Sequence, residues 1–146
     1  MAPGRTSTKS AKARPTLNGK EVAFINRIPY AKFATVGKDG SPHVTPTWIM
    51  YEGGKLVITM QETTLKVRNL RRDPRVAVLI DDGPRYLLVK GRAVVAGHRE
   101  TAKDREKLAV KALGEEAGRR WAAEEAPKTK AVSVEVSPEN VFAFNL

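Results

Sequence analysis

The sequence predicts a single mainly β domain, a small antiparallel β-barrel with peripheral helices. Six or seven short segments are rich in β-branched and aromatic residues, and turn residues separate them at hairpin-like spacing. Only two or three segments have helical character, whereas a parallel sheet would require more crossover helices. The chain has 146 residues, 41% of them hydrophobic, so it can bury one core.

The beginning of the chain is basic and has little to bury. Its first 16 residues hold four basic and no acidic side chains among Ser, Thr, Pro and Gly. We therefore expect residues 1–16 to be a flexible arm and residues 17–146 to be the folded domain. Asn18, three residues before Glu21, has the spacing of a capping box, and it predicts a short helix that ends before Pro29.

The strands and remaining helices follow from periodicity and turn chemistry. The predicted strands are residues 30–36, 43–51, 56–60, 75–80, 86–95, 131–136 and 141–144. One predicted helix begins at Thr63 or Thr64 and ends at Arg72. Residues 100–125 are predicted to form two further helices, split near Gly114. Gly91, inside a long strand, marks a bulge or a close approach of another backbone.

Composition excludes several classes of site. The chain has no cysteine, which excludes a disulfide framework, a thiolate zinc site and a cysteine nucleophile, and which favours a reducing cytoplasm. It has no apolar run of the length that a membrane-spanning helix needs. It also lacks a Ser-His-Asp, HExxH or paired-carboxylate pattern. The sequence therefore predicts no metal site and identifies no catalytic side chain. His43 is interpreted as a half-exposed strand residue.

Residues 63–75 are the most basic segment of the predicted domain. The chain carries a net charge of +10, and this segment alone has five basic residues and one acidic residue. Its first turn combines two hydroxyls, free backbone N–H groups and the positive end of a helix dipole, with Lys66 nearby. These features suit a phosphate. On spacing alone, a solvated basic face with threonines that only cap the helix explains the segment equally well.

The amino-acid sequence of this segment is a more specific indication than its charge. It reads K-x-x-N-L-R-R-D-P-R-V from Lys66 and follows a β-hairpin. It resembles the flavin and deazaflavin split-barrel oxidoreductases, relatives of pyridoxamine 5′-phosphate oxidase. Further pieces resemble that family's first hairpin and long fifth strand, in order: residues 33–36, 39–44, 46–48 and 89–93. The resemblance covers residues 31–95.

The resemblance implies a split β-barrel of the FMN-binding type and a homodimer, with a flat tricyclic cofactor at the interface. Lys66 would be the primary ligand of the cofactor phosphate. Thr63 and Thr64 would add hydroxyls, and Asn69 a supporting amide. Tyr86 matches a position that in relatives reaches the neighbouring subunit's cofactor. The residues expected to border the ring are Thr45, Pro46, Thr47, Thr59, Met60 and Gln61. Pro46 lacks an N–H, which also suits an edge strand or bulge.

Thr64 bears on which cofactor is bound. Family members specialised for FMN often have an arginine two residues before the lysine, where this chain has Thr64. This departure favours coenzyme F420 over FMN. The F420 deazaflavin carries a phosphodiester and a lactyl-oligoglutamate tail, whose negative charges suit a chain of net charge +10.

The resemblance thus implies an F420-dependent oxidoreductase that transfers a hydride to an electron-poor small molecule such as an enone, conjugated alkene or tetrapyrrole. An FMN-dependent oxidase or reductase of the same fold is one alternative, and a protein that carries a cofactor without turnover is another. A nucleic-acid or acidic-surface module is less favoured, because no aromatic stacking platform accompanies the arginines. Trp48 and Trp121 are both expected to pack rather than to bind ligand.

Overall fold

The computed structural model describes residues 12–14 and 16–146, and its main feature is one antiparallel sheet. The strands are β1 (Lys12–Ala13), β2 (Tyr30–Val36), β3 (Pro42–Trp48), β4 (Met50–Glu52), β5 (Lys55–Gln61), β6 (Arg75–Asp82), β7 (Arg85–Val95) and β8 (Ala131–Phe144). The helices are α1 (Gly19–Arg27), α2 (Leu65–Arg72), α3 (Thr101–Leu113) and α4 (Glu115–Glu124), followed by a 3-10 turn at Ala126–Lys128. None of the helices in these ranges is long and apolar enough to cross a membrane.

The order of strands shows how the sheet curls. The strands lie in the order β3, β2, β6, β7, β8, β5 and β4, and β1 pairs with the second half of β8. Every pairing is antiparallel. The sheet curls so far that β3, at one end, contacts β5 near the other end. The prediction of a mainly β split barrel with peripheral helices is confirmed.

The long strand β8 differs from the prediction of two separate pieces. It runs unbroken from Ala131 to Phe144 between β7 and β5. Its register with β7 shifts between Lys90 and Gly91, which confirms the predicted irregularity. A Cβ at position 91 would lie 2.0 Å from the Ser137 carbonyl oxygen, so only glycine fits without displacing backbone. The expectation of two pieces failed because residues 137–140, whose composition is typical of a turn, pair with β7 around Gly91 instead of breaking the strand.

The predicted strand over residues 43–51 is wrong in being continuous. It breaks at Ile49, so β3 pairs with β2 while β4 turns away to pair with β5. The Ile49 N–H donates to the Pro29 carbonyl at 3.2 Å, and the Ile49 carbonyl accepts from Lys111 Nζ at 2.6 Å. Tertiary hydrogen bonds therefore hold the break, which strand periodicity does not register.

The core fills the inside of the curled sheet. Alternate residues of β2, such as Phe33, are fully buried together with Ile58 of β5 and Val134 of β8. Helix α1 covers this core with Phe24, and its predicted capping box is confirmed. The Asn18 side chain accepts from the Glu21 N–H at 2.9 Å, and the Glu21 carboxylate accepts from the Asn18 N–H at 2.9 Å.

The beginning of the chain is described only in part. Residues 1–11 and 15 of the predicted arm lie outside the described residues. Lys12 and Ala13 pair with Val141 and Asn140 of β8. Arg14 donates to both carboxylate oxygens of Glu21, at 2.8 and 2.6 Å. The part of the arm nearest the domain is therefore tied to β8 and α1.

Helices α3 and α4 form a layer beside β3, β4 and β5. Arg99, just before α3, donates to Asp104 at 2.8 Å and to Glu135 of β8 at 3.0 Å, and it also pairs with Glu52 of β4. Gly118 lets α4 approach α3 closely, because a Cβ there would lie 2.5 Å from Val110 Cα. This layer forms one wall of the main pocket.

Candidate functional site

A pocket of about 400 Å³ lies between strands β3 and β5, the start of α2 and the helical layer. Its lining residues are Tyr30, Pro46, Thr47, Trp48, Thr59, Met60, Gln61, Thr64, Lys66, Arg105, Trp121 and Ala131. None of these residues is acidic, and two are cations, Lys66 and Arg105. The pocket is therefore a positively charged cleft with aromatic residues on one side, which suits a flat anionic ligand.

Lys66 is a half-buried cation in this pocket. Its Nζ donates to Thr45 Oγ1 at 3.1 Å, and it makes no ion pair with the described acidic residues. Burial lowers the pKa of the Lys66 ammonium below its usual range. An ammonium held out of water with only a hydroxyl as partner is destabilised, and an anion beside it would relieve that cost.

The first turn of α2, which contains Lys66, has backbone N–H groups that no side chain caps. Thr64 is the N-cap residue, but its side chain does not cap the helix. Instead Thr64 Oγ1 donates to the Gln61 carbonyl at 2.8 Å. The first turn of α2 has no acidic residue. The helix end therefore offers both its dipole and its N–H groups to an external anion. Thr63 is exposed, and its carbonyl accepts from Arg68 at 2.9 Å.

The walls of the pocket contain most of the strand residues singled out in the sequence. Those that line it are Pro46 and Thr47 of β3 and Thr59, Met60 and Gln61 of β5. Thr45 reaches the same region through its hydrogen bond to Lys66. Pro46 lies in β3, an edge strand of the sheet, which is where a residue without an N–H is tolerated. The curl of the sheet is what brings β3 opposite β5.

Three other predicted cofactor residues do not line this pocket: Thr63, Asn69 and Tyr86. Asn69 is fully buried, and its amide donates to Thr35 Oγ1 of β2 at 3.0 Å and accepts from Arg72 at 3.0 Å. It ties α2 to the sheet. The ring of Tyr86 stacks on Phe144, with centroids 5.6 Å apart and an interplanar angle of 18°. Tyr86 lies on the outer face of the sheet, among residues that the core does not cover.

The arginines of residues 63–75 do not line the main pocket. Arg75 pairs with Asp73 at 2.7 Å, and Arg72 donates to the Val36 carbonyl at 2.9 Å. Arg68 and Arg72 border a neighbouring cleft of about 810 Å³ together with His43. Within residues 12–14 and 16–146, no group of three or more His, Cys, Asp or Glu side chains is arranged to hold a metal ion.

Sequence reasoning missed the helical side of the pocket. Trp48 and Trp121 were expected only to pack, yet both line the pocket, with ring centroids 4.9 Å apart in an edge-to-face contact. Arg105 of α3 lines it as well. A lone aromatic or arginine in a charged helix carries no local signal of a site. Only the docking of α3 and α4 against β3 and β5 brings these residues together.

Comparison with known proteins agrees with this architecture. A sequence profile described as pyridoxamine 5′-phosphate oxidase matches residues 17–145. A 5a,11a-dehydrotetracycline/5a,11a-dehydrooxytetracycline reductase from Streptomyces rimosus is 36% identical over 69 residues, which are 44% of this chain and 49% of that protein. The chain thus spans about half the length of this relative.

Solved structures show the same fold. A conserved hypothetical protein from Mycobacterium tuberculosis has a TM-score of 0.75 at 24% identity. The match covers 91% of this chain and 88% of that protein. An F420 reductase has a TM-score of 0.66 at 26% identity, with 86% and 98% covered. HutZ, a heme storage protein from Vibrio cholerae, has a TM-score of 0.63 at 16% identity, with 88% and 94% covered, a likeness of fold alone. With a profile match over nearly the whole described domain, the chain belongs to the pyridoxamine 5′-phosphate oxidase family.

Proposed function

We propose that this protein is an oxidoreductase that binds a deazaflavin of the coenzyme F420 type and transfers a hydride to an electron-poor small molecule. The observation that carries the proposal is the half-buried Lys66 ammonium, which lacks an anionic partner among the described residues and lies at the uncapped start of α2. The substrate class is an enone, a conjugated alkene or a tetrapyrrole. The names of two similar proteins, a dehydrotetracycline reductase and an F420 reductase, support this choice.

The residues present fit such a cofactor. Lys66 and the N–H groups of α2 would hold its phosphate. Thr63 and Thr64 would add hydroxyls, that of Thr64 after releasing its hydrogen bond to the Gln61 carbonyl. Residues 45–47 of β3 and residues 59–61 of β5 would border the ring. The chemistry supplied by a bound reduced deazaflavin is donation of a hydride, and a proton from solvent completes the two-electron reduction of the substrate's double bond. The chain's own part is to orient the ring and exclude water.

The choice of F420 over FMN rests on charge. Thr64 stands where FMN-specialised members often have an arginine, and its hydroxyl is already engaged with Gln61. The neighbouring cleft beside α2 is bordered by three cations, Lys38, Arg68 and Arg72, and one carboxylate, Asp39, so its net positive charge would attract an oligoglutamate tail. An FMN enzyme of the same fold would use the Lys66 end equally well but would leave this second basic cleft without a ligand.

A homodimer with cofactor sites at its interface is part of the proposal. Leu79 of β6, Leu88 of β7 and Phe142 of β8 are directly paired across the outer face of the sheet. All three are only partly covered in the single chain, beside the stacked Tyr86 and Phe144. A second copy would bury this apolar row and bring Tyr86 to the neighbouring site.

The test of the cofactor is a titration of the purified protein with F420 and with FMN, followed by cofactor absorbance and tryptophan fluorescence. We expect F420 to bind more tightly than FMN, and Lys66→Ala to weaken F420 binding by about tenfold or more, since hydrogen bonds to charged groups are worth about 1.5–3 kcal/mol. Lys20→Ala, on the exposed side of α1, removes the same charge and serves as the control. Binding of neither cofactor would refute the proposed function.

The remaining outcomes separate the alternatives. If Lys66→Ala and wild type bind F420 equally well, Lys66 is not a ligand of the cofactor, but the proposal that F420 binds still stands. Tighter binding of FMN than of F420 would make the protein a flavin enzyme. Binding without reduction of any conjugated substrate would indicate a cofactor carrier. For the dimer, Leu88→Lys should give a monomer in analytical ultracentrifugation, and an unchanged dimer would place the interface elsewhere.

A further inference from the structure

Arg105 of α3 is a second cation in the main pocket. It donates from Nη1 to the carbonyls of Ala126 at 2.6 Å and Thr129 at 3.1 Å, and from Nη2 to Thr129 Oγ1 at 2.9 Å. All of these acceptors are neutral, and Arg105 makes no ion pair with the described acidic residues. Burial lowers the pKa of its guanidinium. Its charge is therefore fixed in position but not neutralised.

Two tryptophans stand beside this arginine. The guanidinium carbon lies 5.3 Å from the centroid of the Trp121 ring, and Trp121 meets Trp48 edge to face at an interplanar angle of 70°. A flat conjugated molecule can stack against such a wall while an oxygen at its edge meets the guanidinium. The Nε–H of Arg105 has no partner among the described residues, so it is available to such an oxygen.

We propose that Arg105, Trp48 and Trp121 form the acceptor subsite, and that it takes a flat conjugated carbonyl compound whose oxygen carries or acquires negative charge. The inference rests on the proposed function and specifies its substrate. Lys66 would hold the cofactor phosphate, and Arg105 would contact the acceptor's oxygen. The two cations of the pocket would thereby have separate ligands.

The same placement fits the proposed reduction. A bound reduced deazaflavin would supply a hydride to the carbon β to the carbonyl, and the π electron pair of the double bond would move to the carbonyl oxygen as an enolate. Arg105 stabilises that negative oxygen. A proton from solvent then adds to the α carbon. The hydride brings two electrons and one proton, and the solvent brings the second proton. The substrate thereby gains two hydrogens, and the cofactor is left oxidised.

The test uses the chain's own fluorescence. Trp48 and Trp121 are its two tryptophans, so their emission reports directly on this end of the pocket. Cinnamate and cinnamamide are probes with the same flat conjugated skeleton, and the first carries a negative charge that the second lacks. We expect cinnamate to quench the full-length protein at about a tenfold lower concentration than cinnamamide. Arg105→Gln should remove this preference.

Three variants separate recognition from folding. Thr129→Val removes one anchor of the guanidinium but keeps the charge, and it should keep the preference. Lys66→Met should also keep it, because Lys66 lies at the phosphate end. Arg105→Lys retains a positive charge and should retain part of the preference for cinnamate. If Arg105→Gln does not fold, this variant tests whether the charge at position 105 causes the preference. Melting curves check that each variant is folded.

Two results would overturn the subsite. One is an unchanged preference in a folded Arg105→Gln, and the other is a preference lost in Lys66→Met, since cinnamate would then occupy the phosphate end. The cofactor titration runs separately on the same proteins. A preference for cinnamate in a chain that binds neither F420 nor FMN would support the anion subsite while refuting the proposed function. Cofactor binding without any preference for cinnamate would refute only the subsite.

Discussion

The side-chain amide of Asn69 donates to the hydroxyl of Thr35 at 3.0 Å, and both side chains are buried. This bond joins α2, the helix that carries Lys66, to the middle of β2. We expect Asn69→Ala to lower the free energy of unfolding by about 2 kcal/mol, because it leaves the Thr35 hydroxyl buried without its partner. Urea unfolding measures the change.

A double variant sharpens this prediction. Replacing both partners in Thr35→Val with Asn69→Leu removes the bond without orphaning either group, so it should cost less than the two single changes added together. A double variant whose loss equals the sum would mean that the two side chains are not energetically coupled. Cofactor affinity should fall in Asn69→Ala as α2 loosens, although Asn69 does not line the pocket.

The bulge at Gly91 gives a second prediction. Gly91→Ala would place a Cβ 2.0 Å from the Ser137 carbonyl oxygen, which forces β7 and β8 apart. We expect a loss of at least about 2 kcal/mol in the free energy of unfolding. Gly97→Ala is the matched control, because a Cβ there meets no atom within 4 Å. Equal midpoints of urea unfolding for the two variants would contradict the observed register.

The ion pairs around Arg99 predict that the stability lost on replacing this arginine depends on pH. Asp104 is desolvated, yet hydrogen bonds from Arg99 and Ser133 hold the pKa of its carboxyl below the usual range. Lys107 and Arg99 likewise lower the pKa of Glu52. Arg99→Met leaves the Asp104 charge buried without its main partner and should cost about 3 kcal/mol at neutral pH.

The sign of the pH effect follows from the lowered pKa values. The unfolded carboxyls bind protons at a higher pH than the folded ones, so the network stabilises the fold above pH of about 4, and this stabilisation is lost as pH falls through the folded pKa values. The deficit of Arg99→Met relative to wild type should therefore be large at pH 7 and shrink at lower pH. A deficit that stays constant in urea unfolding from pH 7 to pH 3 would rule this out.

Lys111 predicts a change of stability in the same direction, a gain with rising pH, but in the alkaline range. Its Nζ donates to the carbonyls of Ile28 at 2.8 Å and Ile49 at 2.6 Å, and burial lowers its pKa from 10.5 to about 8. Between these values the unfolded chain binds a proton that the folded chain has released, so the folded state gains stability as pH rises. Wild type should gain stability relative to Lys111→Met from pH 8 to pH 10. Parallel pH profiles for the two proteins would contradict the lowered pKa.

Local features of this fold could be predicted from the sequence, because their determinants are close together in the chain. The Asn18–Glu21 capping box and the irregularity at Gly91 are of this kind, and so is α2, predicted to end at Arg72 and observed to do so. The break at Ile49 could not be predicted, since a carbonyl of residue 29 and a lysine of α3 hold it.

The candidate site divides in the same way. Lys66 and the strand residues of β3 and β5 come from one continuous stretch, whose wording resembles a known family, and the structure brings them to one pocket. Arg105 and Trp121 come from helices whose sequence is generic in charge and propensity. Asn69 was expected at the cofactor, but its burial against β2 becomes visible only when α2 is docked on the sheet.

The central position of β8 has a consequence for how the molecule forms. β8 is the last strand in the chain, yet it lies between β7 and β5 and pairs with the free edge of each. During synthesis, β5 therefore leaves the ribosome with β4 but long before its second partner, β8, exists. Contacts between segments so distant in sequence slow folding, and an unpaired strand edge is prone to aggregation in the meantime. We infer that the pocket wall formed by β5 becomes rigid only in the last step of folding.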